Sequence, residues 1–122
     1  MNPNEVHVLV VDDVPDAAQS LATLLELHGY TVQTANSGEE ALRLVAEAPP
    51  LCVILDIDMP GRVDGLELSK QLRALHGTHI VLIAVTGWPE EDPRVAETFE
   101  IVDHYLQKPV DPVVFGKLLP PV

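Results

Sequence analysis

A strand pattern that alternates with helical periodicity five times constrains this chain more than any other feature. Val8-Leu9-Val10-Val11 and Leu51-Cys52-Val53-Ile54-Leu55 are its clearest apolar runs. Runs of four or five such residues read as strands buried on both faces of a parallel sheet. His7–Val11, Thr31–Ala35, Leu51–Asp56, Ile80–Val85 and Asp103–Gln107 are the expected strands, Ile80–Val85 being apolar on both faces and so a central one. Between them lie helical segments. Pro15 suits a first turn, and Leu21, Leu24, Leu25 and His28 form a stripe that Gly29 closes. Ser37 and Glu40 have capping-box spacing ahead of Ala41, Leu42, Val45 and Ala48. Asp64 caps a segment with Leu66, Leu68, Leu72 and Leu75, ended by Gly77. Pro93 to about Val102 is a weaker helix, and a short one starts at Asp111 or Pro112 and runs to about Leu119. Alternating strands and helices require right-handed crossovers and a sheet covered on both faces. The fold expected is an α/β three-layer sandwich, flavodoxin-like (βα)5, with strand order 2-1-3-4-5.

That topology gives particular acids a meaning. Ligands of open α/β sheets bind beyond the carboxyl ends of the strands. Asp12 and Asp13 end the first strand and Asp56 ends the third, which are neighbours in this order. Three carboxylates close together ionise only with a cation among them, so the set implies a divalent metal. Mg²⁺, an oxygen-seeking ion, fits, with Mn²⁺ able to substitute. One strand-1 acid and Asp56 would bind it directly, the other through water. Asp56 would then be a nucleophile that accepts a phosphoryl group as an acyl phosphate. Thr86 ends the fourth strand and Lys108 the fifth, offering a hydroxyl and an ammonium to phosphoryl oxygens. Each residue alone has an ordinary structural explanation, such as a capping turn or a loop Lys-Pro. Their placement at four strand ends in order is what carries the reading.

Composition excludes other classes. The net charge is −12 with seven Lys+Arg, which argues against direct nucleic-acid or anionic-membrane binding. Residues 1–5 lack a basic cluster and no apolar stretch is long enough to span a bilayer, so no membrane role is expected. The lone Cys52, within an apolar run, reads as a buried thiol and fits a cytoplasmic location. His7, His28, His76, His79 and His104 are scattered and form no metal set. Pro120-Pro121-Val122 reads as the start of a linker or a boundary. At 122 residues, the chain is expected to be a single domain over 1–122, with its core at about 6–119 and no output domain within it.

Val10-Val11-Asp12-Asp13, Asp56-Ile57-Asp58-Met59-Pro60, Asp64-Gly65, Thr86-Gly87 and Tyr105-Leu106-Gln107-Lys108-Pro109 together resemble the receiver domain of two-component response regulators. The resemblance implies that Asp56 takes phosphoryl from the phosphohistidine of a sensor histidine kinase or phosphotransfer protein. It implies Mg²⁺ held by the side chains of Asp13 and Asp56, by Asp12 through water and by the Asp58 backbone carbonyl. It places Thr86 and Tyr105 at switch positions and makes the Lys108–Pro109 bond cis. The face of helix 4, strand 5 and helix 5 would contact a downstream protein or output domain, and a homodimer is compatible with it. Such a domain is a signalling switch that catalyses only its own aspartyl phosphorylation and dephosphorylation.

Three features depart from the family pattern. Met59-Pro60-Gly61-Arg62-Val63-Asp64-Gly65 is one residue longer than usual, Ile101-Val102 replaces the usual Gly-Ala, and Trp88 is bulky for a loop that must move. Two rivals are weaker. Asp56-Ile57-Asp58 mimics the nucleophile motif of haloacid-dehalogenase-type phosphatases, but on the third strand rather than the first, leaving Asp12 and Asp13 unexplained. A silent docking module would need none of Asp13, Asp56, Thr86 and Lys108.

Overall fold

The computed structural model describes residues 7–119; the readings of residues 1–5 and of Pro120-Pro121-Val122 lie outside it. Five strands and five helices alternate: β1 (Val8–Val11), α1 (Pro15–Leu27), β2 (Val32–Ala35), α2 (Gly38–Glu47), β3 (Cys52–Asp56), α3 (Gly65–His76), β4 (Val81–Thr86), α4 (Pro93–Phe99), β5 (His104–Gln107) and α5 (Pro112–Leu118). All strand pairs are parallel, in the order β2-β1-β3-β4-β5. The middle position belongs to β3, buried at all five residues, and β4 is an interior strand as its apolar run implies.

Alternation along the strands builds two cores. Leu9, Val11, Val53, Leu55, Leu82 and Ala84 face α2, α3 and α4, meeting Val45, Leu68, Leu72 and Val95. Val8, Val10, Ile54, Ile83 and Val85 face α1 and α5, meeting Ala18, Leu25 and Phe115. Side chains of period two therefore feed both layers from the same strands. Cys52 is fully buried in the second core, and burial, with a contribution from Asp103, pushes its thiol up to about 12. It is inert packing rather than a reactive group.

The helix seams differ in detail from the leucine stripes. In α1 the buried residues are Ala18, Ala22 and Leu25, while His28 is exposed. Small side chains let the helix lie close to the sheet, so alanines carry the contact. In α3 Leu68 and Leu72 are buried, but Leu75 is 68% exposed. Ser37 caps α2 by accepting from the Glu40 N–H at 3.1 Å. The Glu40 carboxylate reaches back to the N–H of Asn36, one residue before the cap, at 2.7 Å. Gly29 (φ +96°) follows α1 as its turn residue, and Gly77 (φ +59°) caps α3. The left-handed region favours glycine at both positions.

α4 ends at Phe99, short of Val102. The Arg73 guanidinium captures the Ile101 carbonyl through Nε (3.1 Å) and Nη2 (2.9 Å), and so turns the chain toward β5. Arg73 also donates to the carbonyls of Gly77 (2.8 Å) and Ile80 (3.2 Å) and to Asp103 (2.9 Å). Asp103 in turn accepts from the Leu82 N–H at 2.8 Å. One side chain thus ties α3, β4, the end of α4 and β5 together. Burial pushes the Asp103 carboxyl up, but the Leu82 N–H and Arg73 outweigh it and hold it below the usual carboxylate range. A depressed carboxyl contributes stability above its unfolded-state pKa, and that stability is lost as pH falls through the folded value. Arg73→Ala is expected to cost about 2 kcal/mol at neutral pH, since it strands partly buried carbonyls. Urea unfolding at neutral pH and at about pH 3 checks this: the penalty should shrink in acid, and an equal penalty at both would remove Asp103 from the clamp.

Candidate functional site

The crevice lies at the carboxyl ends of the strands, where the β1–β3 junction marks the reversal of strand order. Asp12 and Asp13 leave β1, Asp56 closes β3, Thr86 closes β4, and Lys108 follows β5. Asp12, Asp13 and Asp56 converge: each offers a carboxylate oxygen within 4.8 Å of the others. Asp56 is buried, Asp12 half-buried and Asp13 exposed, so the trio opens to solvent on the β1 side. An all-oxygen set of this kind fits a hard divalent cation.

The loop after β1 is fixed by its own hydrogen bonds. The Asp12 carboxylate accepts from the Val14 N–H at 2.9 Å, and its carbonyl accepts from the Asn36 side-chain amide at 3.1 Å. With Glu40 holding the Asn36 backbone, the β2–α2 turn braces the acidic loop. Asn36 was not legible as a site residue. Only an Asn just past the end of β2, the strand beside β1, could have signalled it.

Asp56 Oδ1 accepts from the Asp58 N–H at 2.8 Å, and Oδ2 accepts from Lys108 Nζ at 3.0 Å. Burial pushes the Asp56 carboxyl above the usual range, against the pull of the Asp58 N–H and Lys108; Asp12 adds to the rise. Burial pulls the Lys108 ammonium down, but the bond to Asp56 and the charges of Asp56, Asp58 and Asp12 hold it above its ordinary value. Lys108 is therefore a cation at neutral pH, aimed at the buried acid. The Lys108 N–H donates to the Thr86 carbonyl at 2.7 Å, and the Lys108–Pro109 peptide bond is cis.

The Asp58 side chain has a place that motif matching did not foresee. Its carboxylate accepts from the Thr86 hydroxyl and from the Gly87 N–H (2.8 Å), and lies 3.8 Å from Lys108 Nζ. The Thr86 hydroxyl also accepts from the Trp88 N–H at 3.0 Å. Trp88 is half-buried against the α2/α3/α4 core, with the Arg94 guanidinium 3.8 Å above its ring centroid, a cation–π contact. Tyr105 packs against Phe99, ring centroids 4.2 Å apart, and its buried hydroxyl has no hydrogen-bond partner among the described residues. The extra residue in the 59–65 loop leaves Arg62 exposed and turns Val63 inward, half-buried against the core.

No helix among the described residues is long and apolar enough to cross a membrane. Residues 8–119 match the response regulator receiver domain family. Response regulator MprA of Mycolicibacterium vanbaalenii is 41% identical over 104 residues, covering 85% of this chain and 44% of the relative. The chain thus spans less than half the length of the curated relatives it matches. Among solved structures, a CheY-like receiver domain protein from Methanospirillum hungatei superposes with a TM-score of 0.85 at 26% identity, covering 94% of this chain and 90% of that one. A Burkholderia pseudomallei response regulator, described with a phosphorylated aspartic acid, calcium ion and citrate, superposes with a TM-score of 0.83 at 26% identity, covering 95% and 67%.

Proposed function

The chain belongs to the response regulator receiver domain family of two-component signalling, and from that premise we propose that Asp56 is the phosphoacceptor of a metal-assisted switch. The observation that carries this reading is the convergence of Asp12, Asp13 and Asp56 within 4.8 Å, with Lys108 Nζ 3.0 Å from Asp56. The donor is the phosphohistidine of a sensor kinase or phosphotransfer protein. An Asp56 oxygen attacks phosphorus, the phosphorus–nitrogen bond breaks, and the imidazole leaves with the electron pair and takes up a proton. Burial leaves the Asp56 carboxylate poorly solvated, which sharpens it as a nucleophile, while Lys108 and the Asp58 N–H keep it oriented.

Asp13 and Asp56 would hold Mg²⁺ by their side chains, Asp12 through water, and the Asp58 carbonyl would add an oxygen; Mn²⁺ suits the same donors. When bound, the ion screens charge between the carboxylate and the incoming phosphoryl oxygens. The Thr86 hydroxyl, the Gly87 N–H and Lys108 are the donors for the transferred group. Movement of Thr86 toward it would alter the space Tyr105 packs into and so reshape the face of α4, β5 and α5. That is a population shift biased by phosphoryl contacts. The reshaped face is the surface for an output domain or downstream protein. The relative crystallised with a phosphorylated aspartic acid and calcium supports both the chemistry and the cation class.

Intact-mass spectrometry after incubation with acetyl phosphate and Mg²⁺ tests the proposal. One phosphoryl adduct is expected, lost when a chelator replaces the metal. A protein that gains no adduct and also fails to bind beryllofluoride would remove the reading.

A further inference from the structure

Asp58 presents its side chain to the wrong partner for a metal ligand and the right ones for a phosphoryl group. Its two carboxylate oxygens take the Thr86 hydroxyl, the Gly87 N–H at 2.8 Å and the near approach of Lys108 at 3.8 Å. These are the same three donors proposed for the phosphoryl oxygens. They come from the ends of two strands, and each has a limited capacity. The Thr86 hydroxyl has one proton to donate, and it is directed at Asp58. The Gly87 N–H likewise has one proton. The carboxylate is largely enclosed, its side chain 21% exposed, so its charge depends on those donors.

From this geometry we infer that the Asp58 side chain is an internal competitor that occupies the phosphoryl donors while Asp56 is unmodified. The inference rests on the reading of Asp56 as the acceptor. A phosphoryl group on Asp56 that takes both the Thr86 hydroxyl proton and the Gly87 amide proton displaces the Asp58 carboxylate from them. Asp58 sits two residues from the acceptor, with its own N–H already bonded to Asp56 at 2.8 Å. Eviction is therefore a side-chain rotation that needs no displacement of β3. The same event frees Thr86, whose oxygen also receives the Trp88 N–H at 3.0 Å. Loss of Asp58 from the donors is thus coupled to the β4–α4 loop, and a ligand that binds the donors pays the cost of the swap. If Asp58 holds the donors in about nine molecules of ten, apparent affinity for a phosphoryl group falls roughly tenfold.

The experiment is a beryllofluoride titration in Mg²⁺, followed by Trp88 fluorescence, the chain's single tryptophan. Wild type, Asp58→Asn and Asp58→Ala are compared, with urea unfolding confirming that each variant is folded. Asp58→Ala removes the competitor, and Asp58→Asn keeps its shape without its charge. Both should bind the phosphoryl analogue about tenfold more tightly than wild type, or better. Binding by wild type with equal or weaker binding by Asp58→Ala overturns the inference and leaves the acceptor reading in place. Binding by none of the three, with no phosphoryl adduct formed, overturns the acceptor reading and the inference with it.

Discussion

Asp56→Asn is expected to take up no phosphoryl group from acetyl phosphate and Mg²⁺ while folding at least as well as wild type. The loss should be complete, because an amide oxygen is no nucleophile at neutral pH and no other carboxylate both joins the converging trio and bonds Lys108. Asp12 and Asp13 are the more exposed acids and neither contacts Lys108. The fold should gain from the change. Burial holds the Asp56 carboxyl above its ordinary pKa, so its ionised form is disfavoured in the folded state relative to the unfolded chain. Ionisation of Asp56 therefore costs stability, and the cost is recovered as pH falls through the folded value toward the unfolded one. An isosteric neutral residue removes it at every pH and retains an acceptor for the Asp58 N–H. The unfolding midpoint at neutral pH should therefore rise, and stability should rise less on acidification than in wild type. Added Mg²⁺ should stabilise the variant less than wild type, since one of three converging carboxylates is gone. Intact-mass spectra and urea unfolding with and without Mg²⁺ read all of this. A wild-type adduct on Asp56→Asn would move the acceptor elsewhere.

The parts of this architecture that could be read from sequence were those set by local pattern. Strand identity at β1, β3 and β4 followed from apolar runs, because a strand buried on both faces has no polar face to alternate with, and at β2 from short alternation. The βαβ rule made the sheet parallel, and the flavodoxin-like order that five such strands fit brought Asp12, Asp13 and Asp56 together. What escaped were contacts set by three-dimensional approach. The α1 seam runs through Ala18 and Ala22, which carry little weight in a search for large apolar anchors. Arg73 looks like an ordinary surface charge in sequence, yet it holds the Ile101 carbonyl 28 residues away. The Asp58 side chain was invisible for a related reason. Motif logic assigned that position by its backbone carbonyl, and nothing in the sequence says that the carboxylate turns toward Thr86 and Gly87. In sequence the 59–65 loop was only one residue longer than usual, and nothing there says that Val63 packs against Gly38, whose missing Cβ makes room for it.

Gly65→Ala is expected to be the most damaging single methyl in the chain's crevice loop. A Cβ at Gly65 would lie 2.2 Å from the Ile57 Cα and 2.8 Å from the Asp56 carbonyl oxygen. Both are backbone atoms, and no side-chain rotation relieves them. The loop that leaves β3 after Asp56 must cross the start of α3 at this point, with Asp64 capping the helix through the Glu67 N–H at 2.9 Å. Accommodation therefore requires α3 to move off β3, opening contacts of the fully buried Leu68 with the sheet, or Asp56 and Ile57 to shift. Overpacking of this kind costs about 3 kcal/mol, with the backbone location pushing it upward. Gly116→Ala supplies the contrast, since a Cβ there meets nothing within 4 Å and the position is helical. That change should stabilise by roughly 0.5–1 kcal/mol. Urea unfolding of the two variants should show shifts of opposite sign. Phosphoryl uptake should fall in Gly65→Ala even under conditions where it remains folded, because the strained peptide carries the acceptor itself. Normal uptake and stability in Gly65→Ala would mean that the β3–α3 junction yields freely, and that the position of Asp56 does not depend on the absent methyl.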